Sequence, residues 1–342
     1  MNEILLEDYK QIASAEYIPW EKLQDKTILV TGACGLIGST LVNALLYANE
    51  AQKLNLKVIA LDISKTVFAE RFETNSALGF IEASVEQLPK IEKDIDYIVH
   101  AASPTASKYF VEHPVETINI AVNGTRNMLE LAKQKKVDAF VYLSSMEVYG
   151  SPEKEEELYE NSATNVDTAS VRSCYPEAKR LCENLCTCYC AEYAVSARVV
   201  RLAQTFGAGV SKNDGRVFMQ FAKAAMEGKD IVLQTQGTSK RPYLYTADAV
   251  SAVLTVLLCG ADGEIYNAAN LDNYCSIYEM AQLVATEIAQ EQIDVRVDID
   301  ESNLAKYPPA SMLKLNVDKL KLLGWKPIVL LVEMFNRMIE NI

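Results

Sequence analysis

Short apolar runs alternate along the chain with segments of helical spacing. Thr27-Ile28-Leu29-Val30 is one such run, and Lys57-Val58-Ile59-Ala60-Leu61-Asp62 is a second. Tyr97-Ile98-Val99-His100 and Ala139-Phe140-Val141-Tyr142-Leu143 follow. Between them, residues 36–48 place Leu41, Leu45 and Leu46 on one side of a helix, and 119–134 reads as another helix. Runs without polar alternation suit strands buried on both faces. The expected class is therefore α/β, with a doubly wound parallel sheet. Residues 1–25 read as an N-terminal helical extension, with Tyr17-Ile18-Pro19-Trp20 packing over the edge of a main domain at 26–207. Past Phe206-Gly207 the pattern changes. Residues 216–226 and 246–258 are helical, Ile231-Val232-Leu233 is a short strand, and Leu322-Leu323-Gly324-Trp325-Lys326-Pro327 leads into a last amphipathic helix. Residues 208–342 should form a smaller C-terminal domain, with some chain crossing back. It should lie against the C-terminal ends of the strands, where such sheets bind ligands.

Composition narrows the partners. Of 342 residues, 49% are hydrophobic and 23% charged, ordinary for a soluble protein, and the net charge is −13. That charge repels a phosphate backbone, so no nucleic-acid partner is expected. Residues 1–8 are acidic and quickly interrupted, unlike a secretory signal, and the near-apolar run 249–259 is too short to span a bilayer. Eight cysteines are present, with Cys182, Cys186, Cys188 and Cys190 crowded on one predicted helix far from His100 and His113. This resembles neither a disulfide framework nor a zinc site. Cys182, Cys186 and Cys190 share a helical stripe with Lys179 and read as a packing face of free thiols. The expected compartment is the cytoplasm, with no membrane association and no metal. The acidic loop 153–157 reads as solvated surface.

The chemistry lies in two motifs. Thr31-Gly32-Ala33-Cys34-Gly35-Leu36-Ile37-Gly38 joins the first strand to its helix. Gly32 permits a tight turn, Gly35 lets the backbone approach a pyrophosphate, and Gly38 lets helix pack closely on strand. The pyrophosphate would rest on the N–H groups opening the helix, at Leu36 and Ile37. Asp62 ends the second strand, 24 residues after Gly38. A carboxylate there accepts hydrogen bonds from ribose hydroxyls and repels a 2′-phosphate, which favours NAD over NADP. The sheet is then Rossmann-like, with 26–207 the NAD-binding domain.

The second motif is Tyr175-Pro176-Glu177-Ala178-Lys179, thirty residues after Ser144-Ser145 at a strand end. A free phenol has a pKa of about 10 and is a poor base at neutral pH. An ammonium one helical turn away, together with a positive nicotinamide ring, favours the phenolate. Ser145 can hydrogen-bond the same substrate oxygen and hold it in line for hydride departure. The trio points to oxidation of a secondary alcohol.

These motifs, with His100-Ala101-Ala102-Ser103, Asn123-Gly124-Thr125, Leu143-Ser144-Ser145-Met146-Glu147-Val148-Tyr149-Gly150 and Leu323-Gly324-Trp325, resemble the extended short-chain dehydrogenase/reductase family over roughly residues 26–327. The likeness is to its sugar-nucleotide epimerase/dehydratase branch. It implies Ser145 as the catalytic hydroxyl, Tyr175 as base and Lys179 as assisting lysine. It adds Ala101, Ala102, Ser103, Tyr175 and Lys179 to the cofactor contacts. Such enzymes oxidise a hydroxyl of a nucleotide-bound hexose, usually at C4, with tightly held NAD, and use the 4-ketone for epimerisation, dehydration or decarboxylation. Dehydratases place Asp-Glu after the catalytic Ser/Thr, whereas this chain has Met146-Glu147. UDP-glucuronate decarboxylases keep only the Glu, and they also resemble this chain at Asn213-Asp214-Gly215-Arg216-Val217 and Lys240-Arg241-Pro242-Tyr243-Leu244-Tyr245. Glu147 is therefore a candidate catalytic residue. Ser145, Gln204, Arg216 and Arg241 are candidate substrate contacts, Arg241 at the diphosphate, where its fork suits phosphate oxygens.

Gln204 and Ala121 stand where relatives commonly carry asparagine, Glu82-Ala83-Ser84-Val85 lacks the usual adenine contact, and Tyr307-Pro308-Pro309-Ala310-Ser311 lacks an arginine. Nucleotide and sugar therefore stay open. Decarboxylation of UDP-glucuronate and C4 epimerisation rank nearly level, and 4,6-dehydration third. A carbonyl reductase with exchangeable cofactor is a further alternative, and a non-catalytic NAD-binding sensor or scaffold is the alternative outside enzymes. The resemblance also implies a homodimer through the helices 119–134 and 176–193, with Leu181, Leu185 and Cys188 facing outward.

Overall fold

A computed structural model describes residues 2–299 and 310–342, so Tyr307, Pro308 and Pro309 fall outside the described residues. The main sheet contains β1 (Thr27–Thr31), β2 (Lys57–Asp62), β3 (Leu78–Glu82), β4 (Tyr97–His100), β5 (Ala139–Ser145), β6 (Ala197–Leu202) and β7 (Ile265–Ala268). The seven strands run in the order β7-β6-β5-β4-β1-β2-β3, and all neighbours are parallel. The chain starts at the centre, moves to one edge, and returns past β1 to the other. This reversal leaves a crevice at the C-terminal ends of β1 and β4.

Side-chain alternation divides the core in two. Ile28, Val30, Val58, Ala60, Val99, Val141 and Leu143 face α2 (Leu36–Gln52) and a buried helix, α6 (Thr246–Cys259), and α1 (Glu3–Ala13) packs on those two helices. Leu29, Ile59, Leu61, Ile98, Phe140 and Tyr142 face α3 (Pro114–Lys135) and α4 (Cys174–Tyr193). β4 is buried throughout, and β1 and β5 are buried except at Thr27 and Ser145, which explains the uninterrupted apolar runs. Helix α3 begins five residues before the expected 119, because Pro114 occupies its first turn, where a missing N–H costs nothing.

After β6 the chain forms the short strand Gln204–Phe206, parallel to Lys240–Tyr245, which pairs antiparallel with Asn270–Ser276. Helix α5 (Val217–Glu227) meets this small sheet where Phe218 stacks on Phe206, with centroids 4.3 Å apart, and β7 carries the later part back into the main sheet. The last helix, α7 (Leu331–Asn341), meets α1 through a buried carboxylate. Asp8 accepts the Tyr245 hydroxyl at 2.7 Å and Arg337 Nη1 at 2.8 Å. Ile18 and Trp20 are buried in the core on the same side of the sheet as α2 and α6. No helix among the described residues is long and apolar enough to cross a membrane.

Candidate active site

The glycine-rich turn joins β1 to α2. Gly32 has φ +63°, a left-handed conformation that only glycine adopts cheaply, and a Cβ there would lie 2.7 Å from Ala102 N. A Cβ on Gly38 would collide with the Gly32 carbonyl oxygen, so any larger residue would push α2 away from β1. Helix α2 has no side-chain cap, which leaves its first N–H groups directed outward. Asp62, at the end of β2, accepts Cys34 N–H at 2.9 Å and Ile63 N–H at 2.7 Å and ties the turn to the neighbouring strand. Ala101, Ala102 and Ser103 continue from β4 beside this turn, all half-buried. The Ala102 N–H donates to Thr31 Oγ1 at 3.2 Å, and the same oxygen lies 2.7 Å from His100 Nδ1. Burial pushes the His100 imidazole down to about 3, so it is neutral.

Successive residues of β5 point to opposite sides of the sheet. Ser144 is buried and donates to Glu183 Oε1 at 2.5 Å, whereas Ser145 is half-buried at the strand end and accepts the Glu147 N–H at 3.2 Å. Tyr175 and Lys179 lie one turn apart on the inner face of α4, both buried. The Tyr175 ring stacks on Phe110 with centroids 4.3 Å apart. Lys179 Nζ donates to the Leu143 carbonyl at 2.7 Å and lies 5.7 Å from the Tyr175 ring centroid. Burial lowers the Lys179 ammonium to about 8, opposed by Cys182, Glu183 and Cys186. Burial, and then the Glu147 charge, push the Tyr175 phenol well above its ordinary range, while Ser145, Arg172 and Arg216 pull it back. Glu147, Arg172 and Arg216 therefore all act electrostatically at this phenol.

Glu147 lies on the 3-10 turn Met146–Tyr149 and pairs with Arg172 at 2.7 Å. The Arg172 guanidinium lies 4.8 Å from the Phe110 ring centroid. Arg216 holds Asp214 through two prongs, Nε and Nη2, at 3.0 and 2.7 Å, and donates Nη1 to the Thr205 carbonyl at 3.2 Å. Gln204 opens the short strand after β6 and is half-buried. Arg241, on Lys240–Tyr245, is half-buried with its Nε buried and unbonded. The fold thus gathers Ser145, Glu147, Arg172, Lys179 and Arg216 around the Tyr175 phenol.

Comparison with known proteins identifies the scaffold. The model of the NAD dependent epimerase/dehydratase family matches residues 28–269, which run from β1 past the end of β7. The chain belongs to this family. UDP-glucuronic acid decarboxylase 5 of Arabidopsis thaliana is 33% identical over 90% of the chain and 86% of its own length. UDP-glucuronic acid decarboxylase 1 of Danio rerio is 30% identical over 92% of the chain and 72% of its length. Among solved structures, UDP-glucuronic acid 4-epimerase of Bacillus cereus, in complex with NAD, superposes with a TM-score of 0.75 at 24% identity, covering 92% of the chain and 98% of the other.

NAD is the family's cofactor, and the glycine turn fits it. A Cβ built on Gly35 would meet nothing within 4 Å except Gly32 O at 3.2 Å, so this face is open to a close-approaching pyrophosphate beside the uncapped start of α2.

Sequence reasoning passed over Phe110, Arg172 and Glu183. Phe110 lies in the short run Tyr109-Phe110-Val111 and Arg172 between two serine-containing pairs, and both acquire their place only through tertiary contact. Glu183 could have been found. It lies one further turn along the Tyr175–Lys179 face, and a carboxylate on a buried face needs a cation opposite. Arg201 on β6 supplies it, by Nε at 2.9 Å and Nη2 at 2.7 Å.

Proposed function

We propose that the chain oxidises the C4 hydroxyl of UDP-glucuronate to a 4-ketone and that this ketone promotes loss of the C6 carboxylate. The observation that carries the reading is Glu147. It stands two residues after Ser145, within electrostatic reach of the Tyr175 phenol, in a chain about 30% identical to UDP-glucuronic acid decarboxylases over most of its length. In this reading Tyr175 accepts the C4 hydroxyl proton. Ser145 hydrogen-bonds the same oxygen and fixes its direction. NAD, when bound, supplies a hydride acceptor that can also return the hydride. Gly32, Gly35, Leu36, Ile37, Gly38, Asp62, Ala101, Ala102 and Ser103 would hold it, with Tyr175 and Lys179 at its nicotinamide end. Gln204, Arg216 and Arg241 would line the nucleotide-sugar site. The 4-ketone lies β to the C6 carboxylate, so the electron pair of the breaking C5–C6 bond delocalises onto the C4 oxygen. Glu147 assists this second step.

C4 epimerisation is the second reading. It is favoured by Arg172, a cation beside the phenol that would stabilise a retained carboxylate. Incubation with UDP-glucuronate separates them: the first reading requires CO2 and a UDP-pentose, and UDP-galacturonate without CO2 would overturn it. Further proposals follow from the same reading. Residues 26–207 serve as the NAD-binding domain and 208–342 mainly as the substrate-binding domain, with 1–25 an extension. The chain works in the cytoplasm, in keeping with its eight free thiols. It acts as a homodimer, in keeping with the exposed Leu181 and Cys188 on α4 and Val115 and Ile118 on α3, whereas Leu185 is half-buried against the core.

A further inference from the structure

Three arginines surround the catalytic strand end, and their donors are used differently. Arg201 is buried, with its fork on Glu183 and Nη1 on Tyr149 and Glu160. Arg216 has its fork on Asp214 and Nη1 on a backbone carbonyl. Arg172 makes one hydrogen bond, Nη2 to Glu147 Oε2, so its Nε and Nη1 have no partner among the described residues. Its side chain and that of Glu147 are each about a third exposed, so the pair opens to a ligand and is not sealed in the core. The guanidinium lies 4.8 Å from the Phe110 ring centroid and 5.9 Å from that of Tyr175, and its charge reaches the phenol.

We propose that Arg172 is a specificity-determining residue, whose guanidinium receives the C6 carboxylate of a hexuronate while the C4 hydroxyl lies at Tyr175. The inference rests on the UDP-hexuronate reading above and adds the group that selects the acid over the neutral sugar. C6 is joined to C4 through C5 alone, so a sugar whose O4 meets the phenol presents its C6 substituent nearby. A second carboxylate there would be repelled by Glu147 unless a cation stood between them, and Arg172 already binds one carboxylate with donors to spare. Arginine suits this because its planar fork can serve two carboxylates at once. A hydroxymethyl group at C6 would gain nothing from it.

The test measures affinities of UDP, UDP-glucose and UDP-glucuronate for the NADH-loaded enzyme, which has no hydride acceptor and so binds them without turnover, in wild type, Arg172→Gln and Arg172→Lys. Losing a charge-assisted hydrogen bond should weaken UDP-glucuronate about ten- to a hundred-fold in Arg172→Gln, with UDP and UDP-glucose changed by less than about two-fold. Arg172→Lys keeps the charge without the fork and should lie between. Equal weakening of all three ligands, or of none, in a variant that melts with the wild type overturns the proposal. If the Gln variant does not fold, the Lys variant is judged by the same ratio. A wild type that binds UDP but does not prefer the glucuronate overturns this inference alone. A wild type that does not bind UDP overturns the sugar-nucleotide reading and this inference with it.

Discussion

Glu183 and Arg201 form the pair whose removal reports most directly on how the catalytic strand is held. Glu183 Oε1 accepts from Ser144 Oγ at 2.5 Å and Arg201 Nε at 2.9 Å, and Oε2 accepts from Arg201 Nη2 at 2.7 Å. The side chains are 6% and 9% exposed. Replacing Glu183 by Gln leaves a guanidinium in the interior without a counter-charge, and breaking such a pair costs about 3–5 kcal/mol. Against a total stability of about 5–15 kcal/mol, that is a large share. Arg201→Met leaves the carboxylate unpaired instead and should cost a similar amount. The double variant buries no charge, so its loss should fall well short of the sum, with a coupling of about 2–3 kcal/mol. Urea unfolding at neutral pH of the three variants and the wild type completes the cycle. Because Ser144 adjoins Ser145, both single variants should also lower kcat more than they weaken NAD binding. Losses that add to within about 0.5 kcal/mol would show that the two side chains do not act as a pair and would refute the argument.

Two other outcomes are expected. Helices α3 and α4 leave Val115, Ile118 and Leu181 at 64%, 41% and 48% exposure, and Leu181→Glu should halve the mass seen by light scattering. A wild type already at monomer mass would sink the dimer. Burial raises Asp248 to about 7 from 3.8. The folded state therefore binds more protons than the unfolded state between those values, and stability falls as pH rises through that window. Relative to Asp248→Asn, the wild type should lose melting temperature between about pH 4 and pH 7, and parallel curves would contradict the assignment.

How much of this was legible depended on whether one element alone carried the signal. The expected 57–62 and 97–100 strands coincide with β2 and β4, because a strand buried on both faces writes its burial into consecutive residues. The glycine turn was legible for the same reason: Gly32 and Gly38 answer to atoms within a few residues or on the adjoining strand end. β3, β6 and β7 were not recognised as such. β3 is an edge strand of half-buried residues around Gly79, and β6 carries Arg198 and Arg201 in a run that local reading takes as too polar for an interior. β7 is four residues long and includes the buried Asn267, whose amide bonds Leu158 and Asn316 carbonyls from distant segments.

The same division holds at the site. Tyr175 and Lys179 announce themselves by their spacing. Arg172 does not, because what distinguishes it is the set of donors left free after Glu147 is bound. A charged residue becomes interpretable only with its partner, and the partner is a tertiary fact. The reading of Arg201 as structural and of Arg172 as available for substrate rests on that difference in occupancy, since the two side chains are chemically identical. Any change that gives Arg172 a second internal carboxylate should therefore convert it from one kind to the other and reduce selection for the acidic sugar.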